Sequence, residues 1–185
     1  MGDFYNGITE IRVTELLNTG AADPSATAKT STIPKSLGES PVYKDGEELE
    51  QTGGGEIVCT ITEEDAFKGI DLKLKLASLD YEVKKVIAGG DLEMDGEEVV
   101  GWTSSTTKPG PFALEAWIPH YLTEDAIEGM EDGYLKITYP FCKGRIDDRD
   151  HEEKGWGEDN FTVKARQNPS SGDGAKTEEI VDVIT

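Results

Sequence analysis

Basic residues are scarce in this chain. Its 18 lysines and arginines stand against 38 aspartates and glutamates, a formal net charge of −20. A surface of that sign repels nucleic acid and anionic membranes, keeps the chain dispersed, and opposes contact between copies. The excess is uneven: residues 91–132 hold eleven acidic residues and one basic one, Lys108. Cysteine is nearly absent. Cys59 and Cys142 are too far apart in sequence for a metal-ligand pattern, and they fit free thiols made in a reducing compartment better than a disulfide framework. Cys59 alternates on the side of Ile57 and Ile61, which predicts a buried thiol. No run of about 18 apolar residues exists, so no spanning helix is expected. The opening MGDFYNGITE has neither the basic region nor the apolar core of a secretory signal, and Asn6 stands where a myristoylation motif needs Ser or Thr.

Motifs for chemistry are also missing. The chain has no Gly-x-Ser-x-Gly elbow and no helix-borne histidine pair. Gly53-Gly54-Gly55 leads into a strand-like run, not into the helix N-terminus that a phosphate loop uses. The acidic run Asp147-Asp148-Arg149-Asp150-His151-Glu152-Glu153 is contiguous and interrupted by Arg149. Calcium loops space their oxygens on alternate residues around a glycine, so this run reads as a solvated loop. His120 and His151 lack a third partner at ligand spacing. Trp102, Trp117 and Trp156 suit a sugar platform, but tryptophan is more often a core or interface residue. The expectation is a protein with no catalytic residues, cofactor or metal.

What is present is a patterned β-chain with one change of period. In Gly69–Gly90, Leu72, Leu74 and Leu76 alternate with Asp71, Lys73 and Lys75, the two-residue period of a strand with one buried face. Leu79, Val83, Val86 and Ile87 then form one helical stripe, predicting a helix at about 79–88. Ser78 suits its cap, Asp80 and Glu82 suit its first turn, Lys84 and Lys85 lie toward its C-terminal end, and Gly89-Gly90 end it. So short a helix must dock on a sheet. Elsewhere the pattern predicts strands at Ile8–Leu17, Ile57–Ile61, Leu92–Met94, Glu98–Trp102, Phe112–Ile118, Tyr134–Tyr139 (closed by Pro140) and Phe161–Ala165, and Glu178–Ile184 is a candidate final strand. Asp95-Gly96 marks a hairpin turn, and Thr123–Glu128 suits one helical turn. Residues 20–54 lack strand alternation and read as a long polar loop. The whole, residues 1–185, is read as one mainly β domain of sandwich or barrel-like form with one flanking helix, an N-terminal arm (1–7), the long loop (20–54) and a C-terminal arm (168–185).

In that order, the strand-to-helix unit Asp71–Gly90, the early strand ITEIRVTELL, the long polar loop and the late strand Gly133–Tyr139 resemble the major tail (tail tube) proteins of long-tailed bacteriophages. The resemblance covers about twenty residues by motif and most of the chain by order of elements. It implies hexameric rings that stack into a hollow tube in the virion tail, assembled in the host cytoplasm alongside other tail proteins. It also implies an acidic bore through which DNA passes without specific binding, with no membrane partner. The arms and the long loop would join neighbouring rings, which places Phe4, Tyr5, Val42, Tyr43, Leu49, Ile180, Val181 and Val183 as subunit-interface candidates. Asp71, Glu93, Asp95 and Glu97 are the bore-lining candidates. Two other readings fit the residues: a secreted or surface β-sandwich module binding carbohydrate or calcium, and a phage tail terminator or head–tail joining ring that does not stack.

Overall fold

Strand alternation builds most of this molecule. The computed structural model describes the chain except residues 1–3, 6, 33, 47, 54–55, 63, 77–79, 106–107, 122–132, 148–157 and 185; at 4–5, 48–53, 56–62 and 121 it describes backbone only. The elements are β1 (Phe4–Tyr5), β2 (Glu10–Glu15), β3 (Lys29–Ser31), β4 (Pro34–Lys44), β5 (Glu48–Gly53), β6 (Glu56–Thr62), β7 (Ala66–Leu76), α1 (Tyr81–Ala88), β8 (Asp91–Asp95), β9 (Glu98–Thr103), β10 (Phe112–Tyr121), β11 (Gly133–Ile146), β12 (Asp159–Ala165) and β13 (Thr177–Val181). Nine strands form one antiparallel sheet in the order β3-β2-β10-β11-β12-β7-β4, with β1 beside β10 and β13 beside β11. Two hairpins, β5–β6 and β8–β9, stand apart from it. Among the described residues the fold is mainly β with a single short helix.

The core gathers the inward residues of five strands. Ile11 and Val13 of β2, Leu72, Leu74 and Leu76 of β7, Phe112 and Leu114 of β10, Cys142 of β11, and Phe161 and Val163 of β12 join Val83, Val86 and Ile87 of α1 in one buried cluster. Each such aliphatic or aromatic side chain contributes about 1.5–3 kcal/mol when fully buried. That burial holds a two-turn helix that would be marginal alone. The helix approaches β11 at Gly144, where a β-carbon would lie 2.5 Å from Ile87 Cγ2 and 2.8 Å from the Ile87 carbonyl oxygen. Only glycine leaves room there.

Several sequence expectations are corrected. Segment 20–54 is not a loop: it contains β3, β4 and β5, and β4 pairs along its whole length with β7. Most of β4 is exposed on both faces, so no burial imposes an apolar alternation, and its order comes from backbone pairing. Pro140 does not close its strand. It sits where β11 changes neighbour from β13 to β12, within the register shift against Phe112 and Leu114, a bulge being one of the few places a sheet tolerates proline. The first strand is shorter, Glu10–Glu15. The helix starts at Tyr81 with Asp80, not Ser78, at the N-cap position. The hairpin turn centres on Gly96-Glu97, one residue beyond Asp95-Gly96. Its first central residue, Gly96, has φ 66°, as a type II′ turn requires. The two arms are docked, through β1 on β10 and β13 on β11. Thr123–Glu128, His151, Trp156 and the side chain of Cys59 lie outside the described residues.

Strands β4 to β7 together make one long ribbon. Lys44 pairs with Ala66, and Glu48 pairs with Thr62, so the outer ladder continues the register of the inner one without a slip. The Gly46 amide donates to Asp65 Oδ1 at 2.9 Å across the break between them. Gly53 pairs with Glu56 at the far end, so the run after the triple glycine is the return strand of a hairpin whose first strand ends at Gly53.

Candidate functional site

The described residues form open grooves and charged surfaces. Among them no group of three or more His, Cys, Asp or Glu is placed to hold a metal ion. An open groove of about 470 Å³ beside the C-terminal end of α1 is lined by Glu15, Leu17, Asp23, Lys85 and Lys108 among others, without a nucleophile–base pair. Nor is any described helix long and apolar enough to cross a membrane.

The acidic hairpin β8–β9 is fixed to α1 by one tryptophan. Trp102 of β9 donates its indole N–H to the Gly89 carbonyl at 2.7 Å, satisfying a backbone acceptor at the end of α1. Its ring lies 4.3 Å from the Lys84 ammonium, a cation–π contact. Lys84 is buried on the other side against Asp159 of β12, its Nζ 3.4 Å from each carboxylate oxygen. Both groups are almost inaccessible, at 3% and 2% exposure. Gly90, at φ +96°, lets the chain turn into β8: a β-carbon there would lie 2.4 Å from the Thr103 carbonyl oxygen. Sequence reasoning placed Lys84 toward the C-terminal end of the helix and assigned it no partner. Position 84 lies about 60° from Ile87 on the helical wheel, at the flank of the apolar stripe, so the stripe did not by itself mark it as buried.

Of the bore-lining candidates, Glu93 and Asp95 lie exposed on β8, and Glu97 lies in its turn beside Glu98, so three of the four share one acidic projection. Asp71 does not join them. It sits on β7, where Arg166 Nη2 holds its carboxylate at 2.8 Å and Arg166 Nη1 donates to the Ala165 and Ile70 carbonyls at 2.8 and 3.1 Å. The same clamp closes over Gly69, whose φ of +143° and 2.4 Å approach to the Ala165 carbonyl oxygen exclude a side chain. Asp71 therefore has a local structural partner.

The interface candidates fall on four strands, β1, β4, β5 and β13, with Val183 just beyond the last. Tyr43 of β4 and Phe67 of β7 are both more than half exposed, their rings edge-on at 5.8 Å and 67°. Val42 beside them is half-buried. Phe67, which sequence reasoning passed over, is placed there by pairing with Tyr43. Leu49 lies on β5 in the outer part of the ribbon, and Phe4 and Tyr5 lie on β1, all with side chains outside the described residues. Ile180 on β13 and Val183 just after it are exposed at 58% and 59%, whereas Val181 is half-buried.

Burial and charge set the titration of four groups. Cys142, a free buried thiol, is pushed far above its ordinary value by burial. Tyr139 is raised by burial and then by its 2.6 Å hydrogen bond to Glu39. Burial pulls Lys136 down, but Glu115 and Glu179 outweigh it and hold the ammonium above its usual range. Lys176 behaves likewise between Glu178 and Glu39. No protein-family model matches this chain, and no curated protein matches it.

Proposed function

We propose that this chain is a structural virion subunit that polymerises as stacked hexameric rings into a phage tail tube, with an acidic bore that conducts DNA to the host. The observation that carries the reading is the order of elements: a ribbon over 34–76 that runs into the core, a docked helix, and then an acidic hairpin. The ribbon carries two exposed aromatic rings, and β13 carries an exposed apolar edge in Ile180, the kinds of surface that subunit contacts cover. Like charges in the bore keep the phosphate backbone from adhering in transit. The subunits must then assemble against their own repulsion, which salt screens beyond a Debye length of about 8 Å at physiological ionic strength. Other tail proteins complete the assembly.

The test is negative-stain electron microscopy of the purified chain, concentrated across a range of salt. Hollow tubes of uniform width, more abundant at higher salt, are the expected outcome. Single rings that never stack would move the assignment to a terminator or joining ring. Monomers whose melting temperature rises with calcium would move it to a binding module.

A further inference from the structure

We propose that the outward face of β7, β11 and β12 is a docking surface for the acidic β8–β9 hairpin of a second copy of this chain. The face is a small grid fixed by register. Lys143 of β11 pairs with Lys164 of β12, which pairs with Asp71 of β7. One step along, Arg145 pairs with Thr162, which pairs with Lys73. Lys75 opposite Asn160 completes the next row. Five of the chain's 18 basic residues thus meet on one face of three strands. All five are exposed. The acids within the grid are already engaged, Asp71 by Arg166 at 2.8 Å and Asp147 by Arg145 at 3.4 Å. An open concavity of about 810 Å³ lies over Lys73, Lys75, Arg145 and Asn160.

Two features say that this face takes an anionic partner. Lys143 directly opposite Lys164 is a like-charge cross-strand pair, unfavourable in an isolated sheet and relieved when an anion covers it. The second is the concentration of positive charge on a molecule that is otherwise strongly acidic, the arrangement that steers a complementary surface and fixes its register. The chain supplies that complement itself. Residues 91–103 carry Asp91, Glu93, Asp95, Glu97 and Glu98 with no basic residue, and Met94 and Val100 are exposed among them at 53% and 52%.

The hairpin does not serve its own grid. It packs on α1, and α1 packs on the inward face of the sheet, with Val83, Val86 and Ile87 among Leu72, Leu74, Cys142 and Val163. Lys73, Lys75, Lys143, Arg145 and Lys164 alternate to the opposite face. The contact is therefore between copies and heterologous, the kind that closes into rings or runs on as a filament. The choice of partner rests on the self-assembling reading above, and it gives Glu93, Asp95 and Glu97 a role between subunits in place of the bore-lining one.

Charge exchange tests it. One variant carries Lys73→Glu, Lys75→Glu and Lys164→Glu, and the other carries Asp95→Lys, Glu97→Lys and Glu98→Lys. Both stay strongly net acidic, so overall attraction cannot join them. With folding checked by circular dichroism, sedimentation velocity should show each variant alone associating at least about tenfold more weakly than the wild type, and an equimolar mixture recovering association. A variant that assembles alone like the wild type, or a mixture that does not associate, overturns the proposal. So does binding of duplex DNA by the wild type that the lysine reversals abolish. The two readings separate cleanly. Tubes formed by either single variant would leave the tail assignment standing and remove this contact. Association of the mixture without tubes from the wild type would do the reverse.

Discussion

Lys84 shows how much a single side chain carries here. Its ammonium is sealed between the Asp159 carboxylate and the Trp102 ring, at the point where sheet, helix and hairpin meet. Removing one member of a buried ion pair strands the other charge, so Lys84→Met is expected to cost about 3–5 kcal/mol in urea unfolding. The double change Lys84→Met with Asp159→Leu is expected to recover most of that, because matched apolar replacement of such a pair is often close to neutral. A double variant as unstable as the single one would show that Asp159 is not the charge left stranded. Trp102→Phe keeps an aromatic ring at this position and removes the hydrogen bond to Gly89 together with part of the ring surface, for an expected loss of at least about 1 kcal/mol. Hydrogen exchange should localise that loss to the hairpin and the last turn of α1 and spare the central strands.

At the scale of elements, the ribbon separates into two parts of different duty. Its inner half, β4 on β7, adds a strand to the main sheet, and its outer half, β5 on β6, pairs only with itself. Lys44 and Ala66 are direct partners, so replacing residues 45–65 by Asn-Gly closes a tight turn in the existing register. The trimmed chain is expected to keep its circular dichroism spectrum and to lose tube formation in electron micrographs; a trimmed chain that still makes tubes would free the outer ribbon from any role in stacking. Legibility also divides by element. Strands β7, β10 and β12, the helix and the β8–β9 hairpin announced themselves because one face of each is buried or its turn has distinctive chemistry, as at Leu72, Leu114, Phe161 and Gly96. Strand β4 did not, because Lys35, Ser36, Gly38, Glu39 and Ser40 all remain exposed and pairing alone orders them. The second half of β11 was hidden by Pro140, whose place at a bulge depends on a partner strand distant in sequence. Tyr43, Ile180 and Val183 were singled out through the resemblance, as apolar positions in the long loop and the C-terminal arm, whereas Phe67 and the basic grid needed register to be seen.

At the scale of the whole molecule, four titration shifts act together at alkaline pH. Cys142 and Tyr139 are held neutral in the folded chain, so their contribution is constant below the unfolded values, about 8.5 and 10, and falls as pH rises past them. Lys136 and Lys176 have raised folded values, so their stabilisation is full below about 10.4 and is lost above it. The melting temperature is therefore expected to hold up to about pH 8 and to decline above that, more steeply beyond pH 10. In a Cys142→Ala variant the first part of the decline should vanish, and a profile with the same onset would remove the buried thiol as its cause. The ribbon has a mechanical consequence as well. Its two strands run on into the sheet as β4 and β7, and β7 is laced to β12 on its other side. Interstrand hydrogen bonds lie across the strand direction. Tension at the outer end of the ribbon, along its axis, therefore loads those ladders in shear, many bonds yielding together instead of opening one by one like a zipper. A subunit gripped by that end is held by the same strand that fills the core with Leu72, Leu74 and Leu76, so a neighbour pulling on it pulls against the most deeply seated part of the chain.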